Sequence, residues 1–93
     1  MELTIFYRTD EGFEWLEKTY PISKENYKSV VDSYIKENKA MAKSLLDKWE
    51  LNGEKTSFMI DFKLSIGNTK ELIAMHTEID NYIEDNYTYE NYI

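Results

Sequence analysis

The chain reads as an α+β domain of order ββαβα: a small, mostly antiparallel sheet with two helices, one of them long, packed on one face. Three patterns predict this. Residues 56–66 alternate apolar and polar side chains. Apolar residues recur at the helical period across 27–49 and again across 72–83. The first twenty residues carry the composition of a β-hairpin. Residues 1–93 make a single domain, and 42% apolar content with fourteen aromatics suffices for one core.

In residues 1–20, Leu3, Ile5 and Tyr7 alternate with Glu2, Thr4, Phe6 and Arg8. A second strand-forming run, FEWLEKTY, follows Thr9, Asp10, Glu11 and Gly12, and Gly12 suits the left-handed position of a three-residue hairpin loop. The register stays open, because a one-residue slip exchanges the faces of Phe6, Trp15 and Leu16. On either register a large apolar side chain is expected to face away from the core. Pro21 ends the hairpin, and Ser23 is the expected helix cap, with Ile22 placed to staple against Tyr27.

From there Tyr27, Val30, Val31, Tyr34, Met41, Ala42, Leu45 and Trp49 hold one face in phase up to the stop signal Asn52-Gly53. Asn38 falls in the middle of that face. One helix of about 28 residues, about 42 Å long, is preferred over two helices broken at Asn38, because the phase survives across it. In residues 56–66, Phe58, Ile60, Phe62, Leu64 and Ile66 share a face opposite Met59, Asp61, Lys63 and Ser65, as in a sheet covered on one side. Asn68 or Thr69 caps a second helix running to about Asn86, with Leu72, Met75, His76, Ile79, Tyr82 and Ile83 as its buried face. Residues 87–93 form an edge strand or drape over the domain.

Charge is distributed unevenly. The first seventy residues hold twelve acids and eleven bases. From Glu71 onward there are six carboxylates (Glu71, Glu78, Asp80, Glu84, Asp85, Glu90), four tyrosines and no Lys or Arg, so most of the net charge of −7 lies there. Such a block repels nucleic acid and anionic lipid and attracts basic partners. No Cys is present, so thiol chemistry, disulfides and Cys-based zinc sites fall away. With no leader-like start and no membrane-spanning run, a cytoplasmic protein is expected.

No catalytic motif emerges. His76 is the only histidine, and Asp80 lies one turn beyond it; a half-exposed structural histidine is the commoner outcome. Asp80, Glu84 and Asp85 lack the loop that makes carboxylates converge on a cation. With three glycines there is no phosphate-cradling loop, and the serines show no nucleophile elbow. Neither enzyme activity nor a metal or other cofactor is expected.

What remains is surface. At about 100° per residue, Glu71, Glu78 and Asp85 fall within about 40° of one another along one edge of the second helix, and Asp80 and Glu84 along the other. Spacings of about 6 and 10 Å along these two rails resemble the repeat of a phosphate backbone. Tyr87, Tyr89 and Tyr92 interleave with Glu90, and tyrosine buries area at an interface at low entropic cost. The expected function is therefore a small acidic binding protein. It would inhibit a protein target, such as a nuclease, by occupying its basic nucleic-acid-binding surface through Glu71, Glu78, Asp80, Glu84, Asp85, Tyr87, Tyr89, Glu90 and Tyr92. In bulk properties the chain is similar to phage- or plasmid-encoded anti-restriction and anti-CRISPR inhibitors that imitate DNA, though no motif of theirs carries over. The alternative is a homo-oligomeric adaptor, for instance a homodimer, using Val31, Met41, Leu45 and Trp49 of the long helix.

Overall fold

The computed structural model describes residues 1–48 and 58–87. It contains β1 (Glu2–Thr9), β2 (Glu14–Pro21), α1 (Tyr27–Lys48), β3 (Phe58–Ser65) and α2 (Thr69–Tyr87). The three strands form one antiparallel sheet in the order β2-β1-β3. The ββαβα α+β architecture read from the sequence is the one observed.

The hairpin closes on a three-residue loop. The Thr9 N–H donates to Phe13 C=O at 2.9 Å, and the Gly12 N–H turns back to Thr9 C=O at 2.9 Å. Gly12 has φ +93°, a conformation that an L side chain would strain. The Thr9 hydroxyl accepts the Phe13 N–H at 3.1 Å, tying the loop base.

A bulge settles the open register. Ile5 pairs with Lys18 and Tyr7 with Trp15, so two residues of β2, Leu16 and Glu17, stand opposite Phe6 alone. Leu16 takes φ +56°, the left-handed region that costs a branched residue free energy. The insertion puts Trp15 into the core beside Tyr7 and leaves Leu16 half-buried against it. The Leu16 carbonyl accepts the Tyr34 hydroxyl at 2.6 Å. Phe6 does face away from the helices, yet it is only 1% exposed, and the Lys63 ammonium lies 5.3 Å from its ring centroid.

β1 and β3 run in unbroken register from Glu2↔Ser65 to Thr9↔Phe58. Leu3, Ile5 and Tyr7 of β1, with Phe58, Ile60 and Phe62 of β3, form the floor on which both helices lie. Tyr7 stacks on Tyr34 (centroids 5.7 Å apart) and meets Trp15 at 5.9 Å and Phe58 at 5.6 Å.

α1 is one helix across Asn38, as preferred. Asn38 is buried but satisfied: its amide donates to Tyr34 C=O at 2.8 Å, and its Oδ1 accepts the Lys18 ammonium at 3.0 Å. The chain enters the helix through Ser23, whose carbonyl accepts the Tyr27 N–H at 3.2 Å and closes a turn over residues 24–26, and the regular helix runs from Tyr27. The Asn26 side-chain oxygen reaches back to the Ser23 N–H (2.7 Å), as the third residue of a capping box does, and the Asn26 carbonyl accepts the Val30 N–H (3.0 Å).

The expected face is also adjusted. Ile35 and Leu46 are buried, whereas Met41 is 57% exposed. Of the residues expected at an adaptor interface, Val31 is wholly buried in the chain's own core and Leu45 is half-buried against it, so that part of the stripe is already covered. Trp49 and the stop at Asn52-Gly53 lie outside the described residues. α2 begins as expected: Asn68 accepts the Glu71 N–H on its side chain (2.9 Å) and the Leu72 N–H on its carbonyl (3.0 Å).

Two tyrosines in this core should behave oppositely. The Tyr7 hydroxyl is buried with no hydrogen-bond partner among the described residues, so Tyr7→Phe should leave stability unchanged or raise it. Tyr34→Phe strips the Leu16 carbonyl of its donor and should cost about 1–2 kcal/mol. Urea denaturation of the two variants checks both expectations.

Candidate functional site

α2 is amphipathic because its apolar residues recur at helical spacing. Met75, Ile79 and Ile83 are buried, and Leu72 and Tyr82 are half-buried. His76, expected on that face, is exposed; its ring lies 4.7 Å from that of Phe62 at the margin of the sheet. Its place at the edge of the stripe, rather than its centre, accounts for the difference.

Of the predicted surface residues, Glu71, Asp80, Glu84 and Asp85 are exposed and Glu78 is half-buried. Tyr89, Glu90 and Tyr92 lie outside the described residues. The two rails have different surroundings. Glu71 and Glu78 line a groove of about 460 Å³ whose floor includes Met1, Ile22, Ala74 and Met75 and whose rim carries Lys24 and Lys70. Asp80, Glu84 and Asp85 border neither this groove nor the one described next.

The second groove, of about 470 Å³, runs along α1 and is lined by Ile35, Ala40, Lys36, Lys39, Lys43 and Asp32, with Tyr87 at its side. Those three lysines, spaced three and four residues apart, share one edge of α1. Reading the last quarter of the chain in isolation misses them, because the bases near the end of α2 come from another helix. The signal was present in the 3.6-residue phase of Lys36, Lys39 and Lys43.

The tyrosines at the end of α2 are organised around Asp32. The hydroxyls of Tyr82 (2.6 Å) and Tyr87 (2.5 Å) both donate to its Oδ1, which pins the end of α2 to α1. Tyr82 also meets Tyr27 edge-on at 6.2 Å, and the Lys28 ammonium lies 5.6 Å from the Tyr82 ring centroid. Burial pushes the Tyr82 phenol up to about 12, assisted by the hydrogen bond to the Asp32 carboxylate and by its charge. Thus Tyr82 is a packing residue, and Tyr87 offers a partner only the part of its ring left exposed.

Among the described residues no cluster of three His, Cys, Asp or Glu is placed to hold a metal ion, and no helix is long and apolar enough to cross a membrane. Chemically, the exposed acids of α2 can attract and hydrogen-bond cations. Comparison with protein-family models, curated proteins and solved structures finds no match to this chain.

The Tyr82–Asp32 contact makes a pH-dependent contribution with a definite sign. A phenol whose folded pKa lies above its unfolded value of 10 adds stability that is fully present below pH 10 and lost as pH rises toward 12. Thermal melts should show that decline, with tyrosinate absorbance near 295 nm (about the usual wavelength for the phenolate) reporting delayed ionisation. Asp32→Ala should lower the Tyr82 transition only part-way toward 10, because burial is the larger cause.

Proposed function

We propose that this chain is a small acidic, non-enzymatic binding protein that inhibits a protein target by occupying its basic, nucleic-acid-binding surface. It would be of the kind that phages and plasmids encode against CRISPR nucleases or restriction enzymes. The observation that carries the reading is the outer surface of α2: between Glu71 and Tyr87 it bears five carboxylates and no Lys or Arg, and four of the five are exposed.

The supporting physics is electrostatic. A target groove lined with Arg and Lys meets phosphates several ångströms apart, and carboxylates at helical spacing offer comparable charge on a rigid support. Long-range attraction raises the encounter rate, and neutralising the groove blocks nucleic acid by occupancy. Because Tyr82 and Tyr87 are engaged with Asp32, the first contact falls to Asp80, Glu84 and Asp85, with Glu71 and Glu78 extending the surface. Tyr89, Glu90 and Tyr92 complete the proposed set. Asp32 has the separate task of holding the helix end in place.

The test uses purified CRISPR and restriction nucleases assayed for DNA binding with increasing amounts of the protein. Inhibition should weaken at least about tenfold between about 50 mM and about 500 mM salt. Replacing Glu71, Glu78, Asp80, Glu84 and Asp85 by Gln or Asn should abolish inhibition while leaving the melting temperature nearly unchanged. Full inhibition by that amide variant, or affinity indifferent to salt, would sink the proposal.

A further inference from the structure

β2 and β3 are the two outer strands of the sheet, and they are protected very differently. A strand edge is a template for another chain, and bulges, prolines and charges are the usual means of blocking it. β2 has all three: the Leu16–Glu17 bulge, Pro21 at its end, and Glu14, Glu17 and Lys18 along its length. β3 has neither a bulge nor a proline, and pairs with β1 over eight residues without a shift. Among the described residues its outer side has no strand beside it.

The backbone of β3 also shows which residues face outward. In an antiparallel ladder, alternate residues turn their N–H and C=O groups to one neighbour and the others turn them away. The Phe62 N–H goes to the Asp61 carboxylate (Oδ1, 2.8 Å), which assigns Phe58, Ile60, Phe62 and Leu64 as the outward-turned set. Only two charges lie on β3, Asp61 and Lys63, two residues apart and opposite in sign. Both stand on the helix-free face of the sheet.

We propose that the outer edge of β3 is a self-association surface, pairing antiparallel with β3 of a second copy across a two-fold axis at Phe62. The charge pattern selects this register. With Phe62 opposite Phe62, Asp61 faces Lys63 of the second copy, and the same pair recurs across the axis. A shift of two residues sets Asp61 against Asp61 or Lys63 against Lys63. A shift of one turns the apolar row of one copy onto the opposite face of the other. The selected register places Ile60 opposite Leu64, covering the half-exposed Leu64 and continuing the apolar floor beneath the helices.

The existing contacts accommodate this pairing. Asp61 Oδ2 accepts the Arg8 Nε–H at 3.0 Å and keeps that bond. Oδ1 releases the Phe62 amide to the facing strand and receives Lys63 of the second copy. Lys63 now reaches Glu14 at only 3.8 Å, lies 5.3 Å from the Phe6 ring centroid and is two-thirds exposed, so only weak surface contacts hold it. Asp61 and Lys63 sit in a pair that exchanges no backbone hydrogen bonds, where facing side chains approach most closely. Nothing in this pairing uses the carboxylates of α2, so it stands apart from the inhibitor reading.

Sedimentation equilibrium of the full chain, from about 1 µM to about 500 µM, should show a concentration-dependent dimer. Asp61→Lys and Lys63→Asp each place like charges opposite one another, and each should weaken self-association about tenfold or more. An equimolar mixture of the two variants should restore dimerisation, because both cross-strand pairs again carry opposite signs. Circular dichroism checks that each variant is folded, and the mixture itself shows that neither has lost its strand. A wild-type monomer throughout the range, single variants that dimerise like wild type, or a mixture that stays monomeric would each overturn the proposal.

Discussion

The extra residue in β2 is the constraint from which most of the structure follows. Without it, the pairing that sets Trp15 beside Tyr7 would continue with Glu17, rather than Lys18, opposite Ile5 and Thr19, rather than Tyr20, opposite Leu3, and Lys18 and Tyr20 would turn away from the helices. The bulge costs a left-handed Leu16 and an orphaned carbonyl. Tyr34 of α1 satisfies that carbonyl from within the aromatic cluster. Sheet irregularity and helix position are therefore one feature: α1 lies where its tyrosine can reach the bulge, and Lys18, restored to the helix side, reaches Asn38 one turn further along.

Polar groups at the helix interfaces act as position markers. Asn38 and Asp32 both lie on α1, and each collects partners from a different element: Lys18 from β2, and Tyr82 and Tyr87 from α2. An apolar stripe alone tolerates sliding by a turn, whereas these bonds exist in only one register. Leaving any of these groups unpaired while buried would cost about 1–3 kcal/mol, which is large against the total stability of a domain this small. The tyrosine hydroxyls are part of the same device, and this accounts for why a tyrosine-rich helix end is turned inward.

Where periodicity was strong, the sequence was a reliable guide. β3 through Leu64, the amphipathic face of α2 apart from His76, the Gly12 loop and the Asn68 cap follow from side-chain alternation, helical spacing and turn chemistry, all of them local. Ile66, expected on the shared face of the strand, lies past its end at φ +61° and is exposed. What escaped was non-local. The bulge depends on Tyr34, eighteen residues from Leu16, and no local pattern marks it. The turn over residues 24–26, in which the Asn26 side chain reaches back to the Ser23 amide, was likewise unmarked by periodicity. At the candidate site the acids were legible as a charge run. The lysines of α1 beside Tyr87, and the capture of two tyrosines by Asp32, required the helices to be brought together.

The two proposed surfaces obey opposite electrostatics, and this keeps them separable. A carboxylate face on α2 attracts cationic targets, and added salt screens that attraction. Two copies of net charge −7 repel each other: at about 30 Å between centres, roughly 7 kcal/mol in unscreened water. Most of that vanishes when the screening length falls to about 8 Å at physiological ionic strength. Two exposed Asp61–Lys63 pairs contribute much less than the repulsion and serve to select register. Salt should therefore loosen a complex made through α2 while tightening one made through β3. An acidic surface is thus no obstacle to pairing at a charge-balanced edge, provided the edge lies on another element, and β3 carries one acid and one base.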